Sequence, residues 1–269
     1  MAKTSKKHSS VDDIFKELSE INPFGSSSFG TSNIYQNDTW IDSGNWILNA
    51  ALSGSIKKGF PSTKQTSLVG ESGAGKTFLT LNAVRNAQLM GYTPIYYDTE
   101  GAIDPQSCIN FGIDLDNFRH EPVSEIEKLK TMYAILIKNL TTLKIKGKTI
   151  PKFVLILDSI GMVASSKEIE DARTGNSAAD MTRAKQIRSF FRIITSDLNS
   201  LGIPMIFTNH TMVNIGGYGD PVVQGGGGGV VYSPSITLFL SKAKLKDDKD
   251  DDKKQTGVIV TAKTGKNRF

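Results

Sequence analysis

The chain has 269 residues, a hydrophobic fraction of 38%, a charged fraction of 22% and a formal net charge of +5. That length holds one large α/β domain with a short appendage and excludes two full-sized domains, and the longest apolar strand-like run, 153–157, is far too short to cross a bilayer. The single cysteine, Cys108, excludes an intramolecular disulfide and fits a reducing compartment, three histidines without a cysteine cluster give no zinc pattern, and the mild positive charge permits a polyanionic partner without requiring one.

The opening MAKTSKKHSS is basic with no apolar stretch behind it, so it reads as a disordered tail and not a secretory signal, and the expected location is the cytoplasm, with no membrane partner. Val11, Ile14, Phe15, Leu18 and Ile21 fall on one face of a short helix, which Pro23 and GSSSFGTS end in a connector. Residues 1–39 therefore read as tail, helix and linker, an arm that either folds back on its own subunit or docks on a neighbour. Residues 40–269 read as the core. Apolar runs at 67–70, 94–97, 153–157, 204–208 and 236–240 alternate with helix-length segments at 77–90, 125–140 and 178–198. Such alternation predicts an α/β fold, a mostly parallel, doubly wound sheet flanked by helices, with ligands at the carboxyl ends of the strands. Two stretches break the pattern and are not expected to pack: 211–229, with five consecutive glycines, and the KDDKDDDKK run at 246–254, which reads as a solvated hairpin loop.

Gly70, Glu71, Ser72, Gly73, Ala74, Gly75, Lys76 and Thr77 match G-x-x-x-x-G-K-[ST] in full, after an apolar strand and before a helix. The glycines let consecutive backbone N–H groups turn inward around phosphate oxygens, the helix start adds its positive dipole end, Lys76 reaches the β and γ phosphates, and the Thr77 hydroxyl suits magnesium. The cofactors expected are ATP and Mg2+. Asp158, at the end of the run FVLILD, is the second candidate for holding the metal, although a strand meeting an acidic cap is common in α/β proteins. Between them the strand YYDTE ends in two carboxylates. Glu100 is the better candidate for a general base, because Asp98 continues the strand pattern; the plain alternative is a surface acid capping the next segment.

The segments GESGAGKT, YYDTEGAIDP, LILDSIGM, DMTRAKQIRSFFRI, FTNHTMV and the glycine-rich stretch occur in the order and spacing of RecA-type recombinases, which the chain resembles from about Ile41 to Phe269, most of all in the phage, UvsX-like branch. The stretch from SKEIEDA to FFRI is more specific than the phosphate loop itself. The resemblance implies a RecA-like ATPase core that forms head-to-tail filaments on single-stranded DNA and exchanges strands with double-stranded DNA; a ring-forming helicase of the same fold, or a nucleotide-gated filament-forming regulator with little turnover, are the rivals. It implies that Glu100 is the catalytic glutamate, that Asp158 is the magnesium-side acid, and that Asn209 and His210 sense the γ phosphate. Histidine at 210 stands where bacterial relatives carry glutamine, and it can change protonation near neutral pH. Asp104 matches a position that contacts adenine, whereas Ser107 replaces a stacking tyrosine. The two DNA loops map onto 166–180 and 211–229, so Arg183, Lys185, Arg188 and the backbone of Gly225, Gly226 and Gly227 are the candidate DNA contacts; a solvated basic helix face is the alternative. Lys266 and Arg268 match a cationic pair that enters the next subunit's site. The resemblance also implies further sheet beyond Phe269, so the core reads as truncated, either a fragment or a shortened natural version.

Overall fold

The computed structural model describes residues 15–16, 39–175, 181–213, 222–246 and 255–269. The arm helix at 11–21, apart from Phe15 and Lys16, which are helical, and the charged run at 247–254 lie outside the described residues, as do 176–180 and 214–221.

In chain order the elements are β1 (Trp40–Ile41), α1 (Trp46–Ser53), β2 (Phe60–Pro61), β3 (Gln65–Gly70), α2 (Lys76–Leu89), β4 (Thr93–Asp98), α3 (Pro105–Asn110), β5 (Arg119–Pro122), α4 (Ile126–Ile145), β6 (Phe153–Asp158), α5 (Ser166–Thr174), α6 (Thr182–Leu201), β7 (Met205–Asn209), β8 (Thr211–Val213), β9 (Val222–Gln224), α7 (Gly228–Tyr232), β10 (Ile236–Lys246) and β11 (Gln255–Asn267). Seven strands form one sheet in the order β11-β10-β3-β7-β6-β4-β5. Every pairing in it is parallel except β10 with β11, an antiparallel edge hairpin whose register runs from Ile236 beside Asn267 to Lys246 beside Gln255. The α/β reading, a mostly parallel sheet flanked by helices, describes the structure. The long hairpin was legible only as two ends.

Burial follows the period-2 alternation of strands covered on both faces. On one face Leu68, Tyr96, Ile156, Ile206 and Leu238 pack against Leu48 and Leu52 of α1 and Leu81, Val84 and Ala87 of α2. On the other, Ile95, Tyr97, Leu155, Leu157 and Phe207 pack against Leu129, Tyr133 and Leu140 of α4 and Ile187, Phe191, Ile194 and Leu198 of α6. β4 and β6 bury apolar side chains on both faces and so sit between two helix layers, with their acids at the ends, whereas β3 also buries Gln65, Thr66 and Ser67.

Three expectations need correction. Residues 166–174 form helix α5 and not a loop, because Ser165 and Glu168 make a reciprocal capping box that satisfies the first free amides. The first helix after it starts at Thr182, four residues later than 178. The stretch 211–229 packs in part: β8 and β9 pair antiparallel, Gly225 is buried, and α7 begins at Gly228. Glycine there allows close approach, since a Cβ on Gly229 would lie 2.7 Å from the Arg188 backbone. Among the described residues no helix is long and apolar enough to cross a membrane.

Candidate nucleotide-binding site and nucleic-acid face

The site lies where β3, β4, β6 and β7 end. After β3 the loop 70–75 turns with Gly73 at φ 73° and Gly75 at φ 83°, the left-handed region that side chains rarely adopt, so neither position tolerates replacement. Gly75 is also the N-cap of α2 and supplies no side-chain cap, which leaves the first amides of the helix free for an anion. The Lys76 ammonium donates to the carbonyls of Gly70 (2.8 Å) and Glu71 (2.9 Å). Burial lowers the pKa of Lys76 and the carboxylates of Glu100 and Asp158 offset part of that effect. A desolvated cation beside a loop with two positive-φ glycines and a helix start without a side-chain cap fits the polyphosphate of a nucleotide.

Asp158 sits at the end of β6 with both oxygens engaged. Its Oδ2 accepts from Thr77 Oγ1 and from Tyr96 Oη, each at 2.7 Å, and its Oδ1 accepts from Thr208 Oγ1. Burial and the neighbouring Asp158 carboxylate push the Tyr96 phenol well above its ordinary value, so it remains a neutral donor. Thr77 and Asp158 thus present two hard oxygens side by side at the mouth of the loop, a donor set that fits magnesium.

Glu100 follows β4. Its Oε1 accepts from Ser159 Oγ (2.5 Å) and lies 3.0 Å from His210 Nε2. Asp98 is turned inward: its Oδ1 accepts the backbone amides of Glu100 (3.1 Å) and Gly101 (2.8 Å), and its Oδ2 lies 3.0 Å from His120 Nε2 on β5. The buried acid therefore shapes the turn and the outer one faces the open side of the site. Asn209 donates to the Gly225 carbonyl (2.7 Å) and accepts from the His210 amide (2.9 Å), which ties the end of β7 to the glycine-rich stretch. Asp104 caps α3 by accepting from the Ser107 amide (2.9 Å) and hydroxyl, and these bonds hold its carboxyl below the usual range.

Sequence reasoning missed Tyr96, Ser159, Thr208 and His120. The first three had one faint signal in common: a hydroxyl within or just beyond an otherwise apolar strand end.

A model of the RecA N-terminal domain family matches residues 16–269. The chain belongs to the RecA family. It is 33% identical over 209 residues to the Recombination and repair protein of Enterobacteria phage T4, an alignment covering 76% of this chain and 50% of that relative. It is 30% identical over 217 residues to Protein RecA of Mesomycoplasma hyopneumoniae (78% and 58% covered) and 29% identical over 226 residues to Protein RecA of Streptomyces coelicolor (82% and 55%). The chain spans about half the length of these curated relatives. The RecA family fold is a nucleotide-binding ATPase fold, in keeping with the loop and acids described.

For this RecA-family chain the residues assigned to DNA divide in two. Lys185 and Arg188 are exposed on α6, and Arg188 lies against Gly228 and Gly229 with Arg192 and Tyr232 along one groove of about 570 Å³. Gly226 and Gly227 adopt positive φ, at 89° and 75°. Arg183 is a correction, because its guanidinium points inward and donates to the carbonyls of Val163 (2.6 Å) and Gly161. Gly225 is a second, since its amide donates to the His210 carbonyl (3.2 Å) and is not available to a phosphate. Arg183→Ala should therefore cost about 2 kcal/mol of stability, a fall of about 4–8 °C in melting temperature, with DNA affinity unchanged. Weaker DNA binding at an unaltered melting temperature would return Arg183 to the interface.

Lys266 and Arg268 lie at the other end of the molecule. Lys266 stands beside Thr237, near the start of β10, and donates to the carbonyls of Tyr232 (2.9 Å) and Val231 (3.3 Å). Arg268 borders a polar cavity with Lys64 and Gln65, where β3 begins. Burial, with Arg268 nearby, lowers the Lys266 pKa. Neither cation approaches the chain's own phosphate loop.

Proposed function

We propose that this chain is the ATPase core of a DNA recombinase that binds ATP with Mg2+, assembles head to tail as a helical filament on single-stranded DNA, and promotes homologous pairing and strand exchange with double-stranded DNA. The carrying observation is the separation of the two halves of the site. Gly70 to Thr77, Glu100 and Asp158 stand where the parallel strands end, and Lys266 and Arg268 stand where β3 begins. A site divided in that way is completed only when the start face of one subunit meets the end face of the next, and repetition of such a heterologous contact gives a filament or a ring.

In this reading loop amides other than that of Ala74, which donates to the Glu71 carbonyl (3.3 Å), bind the phosphates with Lys76, and Thr77 and Asp158 would hold the metal, which would supply charge neutralisation for the phosphates. Glu100 orients and deprotonates water. Ser159 and His210 fix the direction of the Glu100 carboxylate by their contacts to its Oε1. His210 and Asn209 connect the γ-phosphate end to the glycine-rich stretch through the Gly225 carbonyl and amide, so nucleotide and DNA loops share one hydrogen-bonded strand end. Lys185 and Arg188 neutralise DNA phosphates, the backbone of Gly226 and Gly227 donates to them, and Asp104 borders the base.

The test is electron microscopy of the protein with single-stranded DNA and a slowly hydrolysed ATP analogue. Helical filaments are the expected result. Closed rings would convert the reading to a helicase-like motor, and absence of ordered assembly with nucleotide bound would overturn the filament assignment.

A further inference from the structure

The phosphate loop is not free-standing: three of its glycines abut the β10–β11 hairpin. A Cβ on Gly70 would lie 2.5 Å from the Leu240 carbonyl oxygen, one on Gly73 would lie 3.0 Å from Lys242 Nζ, and one on Gly75 would lie 3.7 Å from Val260 Cγ2. Leu240 runs beside Gly70 in the parallel register, so β10 continues past the end of β3 and carries Lys242 alongside the loop. The Lys242 ammonium donates to the Ser72 carbonyl at 2.5 Å.

A phosphate cradle needs its amides turned inward, and a peptide whose N–H faces in must face its carbonyl out. Outward carbonyls on a tight loop need donors, or the loop gains by rotating them back. Here the carbonyls of Gly70 and Glu71 accept from Lys76 on the phosphate side, that of Glu71 also from the Ala74 amide (3.3 Å), and the Ser72 carbonyl is the one held from outside the loop, by Lys242. The Lys242 charge also stands close enough to lower the Lys76 pKa, behind the larger effect of burial. Two ammonium groups thus bracket a loop that is built to receive polyanionic charge.

We propose that Lys242 is a positioning residue for the phosphate cradle: by holding the Ser72 carbonyl outward from the edge hairpin, it keeps the loop tip in its phosphate-binding conformation and makes nucleotide affinity depend on where the hairpin lies. The inference rests on the reading of residues 70–77 as the phosphate site. Because β11 of the same hairpin carries Lys266 and runs directly into Arg268, a neighbour that grips that pair pulls on the strand partner of β10, and the pull reaches the cradle of the same subunit through Lys242.

The experiment compares Lys242→Met, which keeps the stem and removes the donor, with Lys242→Gln, which restores a neutral donor, in the full chain without DNA. Affinities are measured for ADP and for AMP. The Met variant should bind ADP about tenfold more weakly, with AMP affinity and melting temperature unaltered, and with the loss in ATP hydrolysis appearing in KM more than in kcat; the Gln variant should recover at least half of the ADP affinity on a logarithmic scale. ADP affinity equal to that of the unaltered protein in Lys242→Met would overturn the inference, as would a Gln variant no better than Met, which would make the charge and not the carbonyl contact the relevant property. Lys76→Ala is the control for the underlying reading. If Lys76→Ala binds ADP normally the cradle itself is misassigned, whereas if only Lys242→Met does so the fault lies with Lys242.

Discussion

Glu100→Gln protein should bind ATP as tightly as the unaltered chain and hydrolyse it about 100- to 10,000-fold more slowly, the range that a positioned general base supplies. Glutamine keeps the size of the side chain and can still accept from Ser159 Oγ, the 2.5 Å contact that fixes Glu100 now, so the strand end should not rearrange. On the function proposed above, what is lost is the carboxylate that would take the proton of the attacking water. Filaments on DNA should then persist, because the step that releases them has been slowed and the phosphate cradle has not been touched. The measurement pairs nucleotide affinity with steady-state turnover on single-stranded DNA. A variant that loses ATP binding along with turnover would make Glu100 a structural cap of the turn. Turnover within a few-fold of normal would assign the proton transfer elsewhere, with Asp98 excluded by its three inward hydrogen bonds.

The second large effect is expected from the cationic pair. Lys266→Ala/Arg268→Ala should lower DNA-stimulated hydrolysis by about 1000-fold or more, the scale on which a cation supplied from outside the cradle stabilises phosphoryl transfer, while leaving nucleotide bound to the subunit's own loop. Lys76→Ala should be inactive for the opposite reason, since on the proposed reading its cradle loses the ammonium for the phosphates. Neither cation of the pair comes near its own loop: Lys266 rests on the carbonyls of Val231 and Tyr232, and Arg268 on the cavity beside Lys64. Mixed in equal amounts, the two inactive proteins should regain activity, because random head-to-tail assembly sets an intact cradle against an intact pair at about one interface in four. Activity should peak near equal proportions and fall toward either pure variant. Co-assembly without recovery would show that the pair does not act between subunits.

Much of this architecture was legible before any coordinates. The strand at 153–158 is an apolar run that ends in an acid, and in a parallel sheet buried on both faces such a run has one plausible position; the strand at 65–70 opens on Gln65, Thr66 and Ser67 and was placed by the loop motif that follows it. The chemistry at their ends was legible because it is carried by residues adjacent in sequence. What was hidden is what depends on distant partners. Nothing near Arg183 reveals that its guanidinium turns to Val163, twenty residues back, and a basic helix start therefore reads as a DNA contact. Helix α5 was hidden for the reverse reason: it is mostly polar, with only Ile169 and Ala172 apolar, and it buries no residue, so periodicity had little signal and the Ser165–Glu168 capping box marks it. The glycine-rich stretch misled because glycine signals both freedom and close approach, and the neighbour that decides between them, Arg188, lies on another element.

The strand order has a consequence for how the protein is made. β3, which leads into the phosphate loop, is flanked in the sheet by β7 and β10, both drawn from the last third of the chain. During synthesis at about 5–20 residues per second, the loop motif therefore leaves the ribosome many seconds before either strand that will clasp β3 exists. Parallel pairing between such remote segments is slow to nucleate, since the loop between them must close first. Until Met205 and Ile236 arrive, Leu68 and Val69 have no lasting shelter and the strand edges stay open to other chains. The nascent protein thus passes through an interval in which its nucleotide site cannot form, and its final assembly is the insertion of β3 between two late strands.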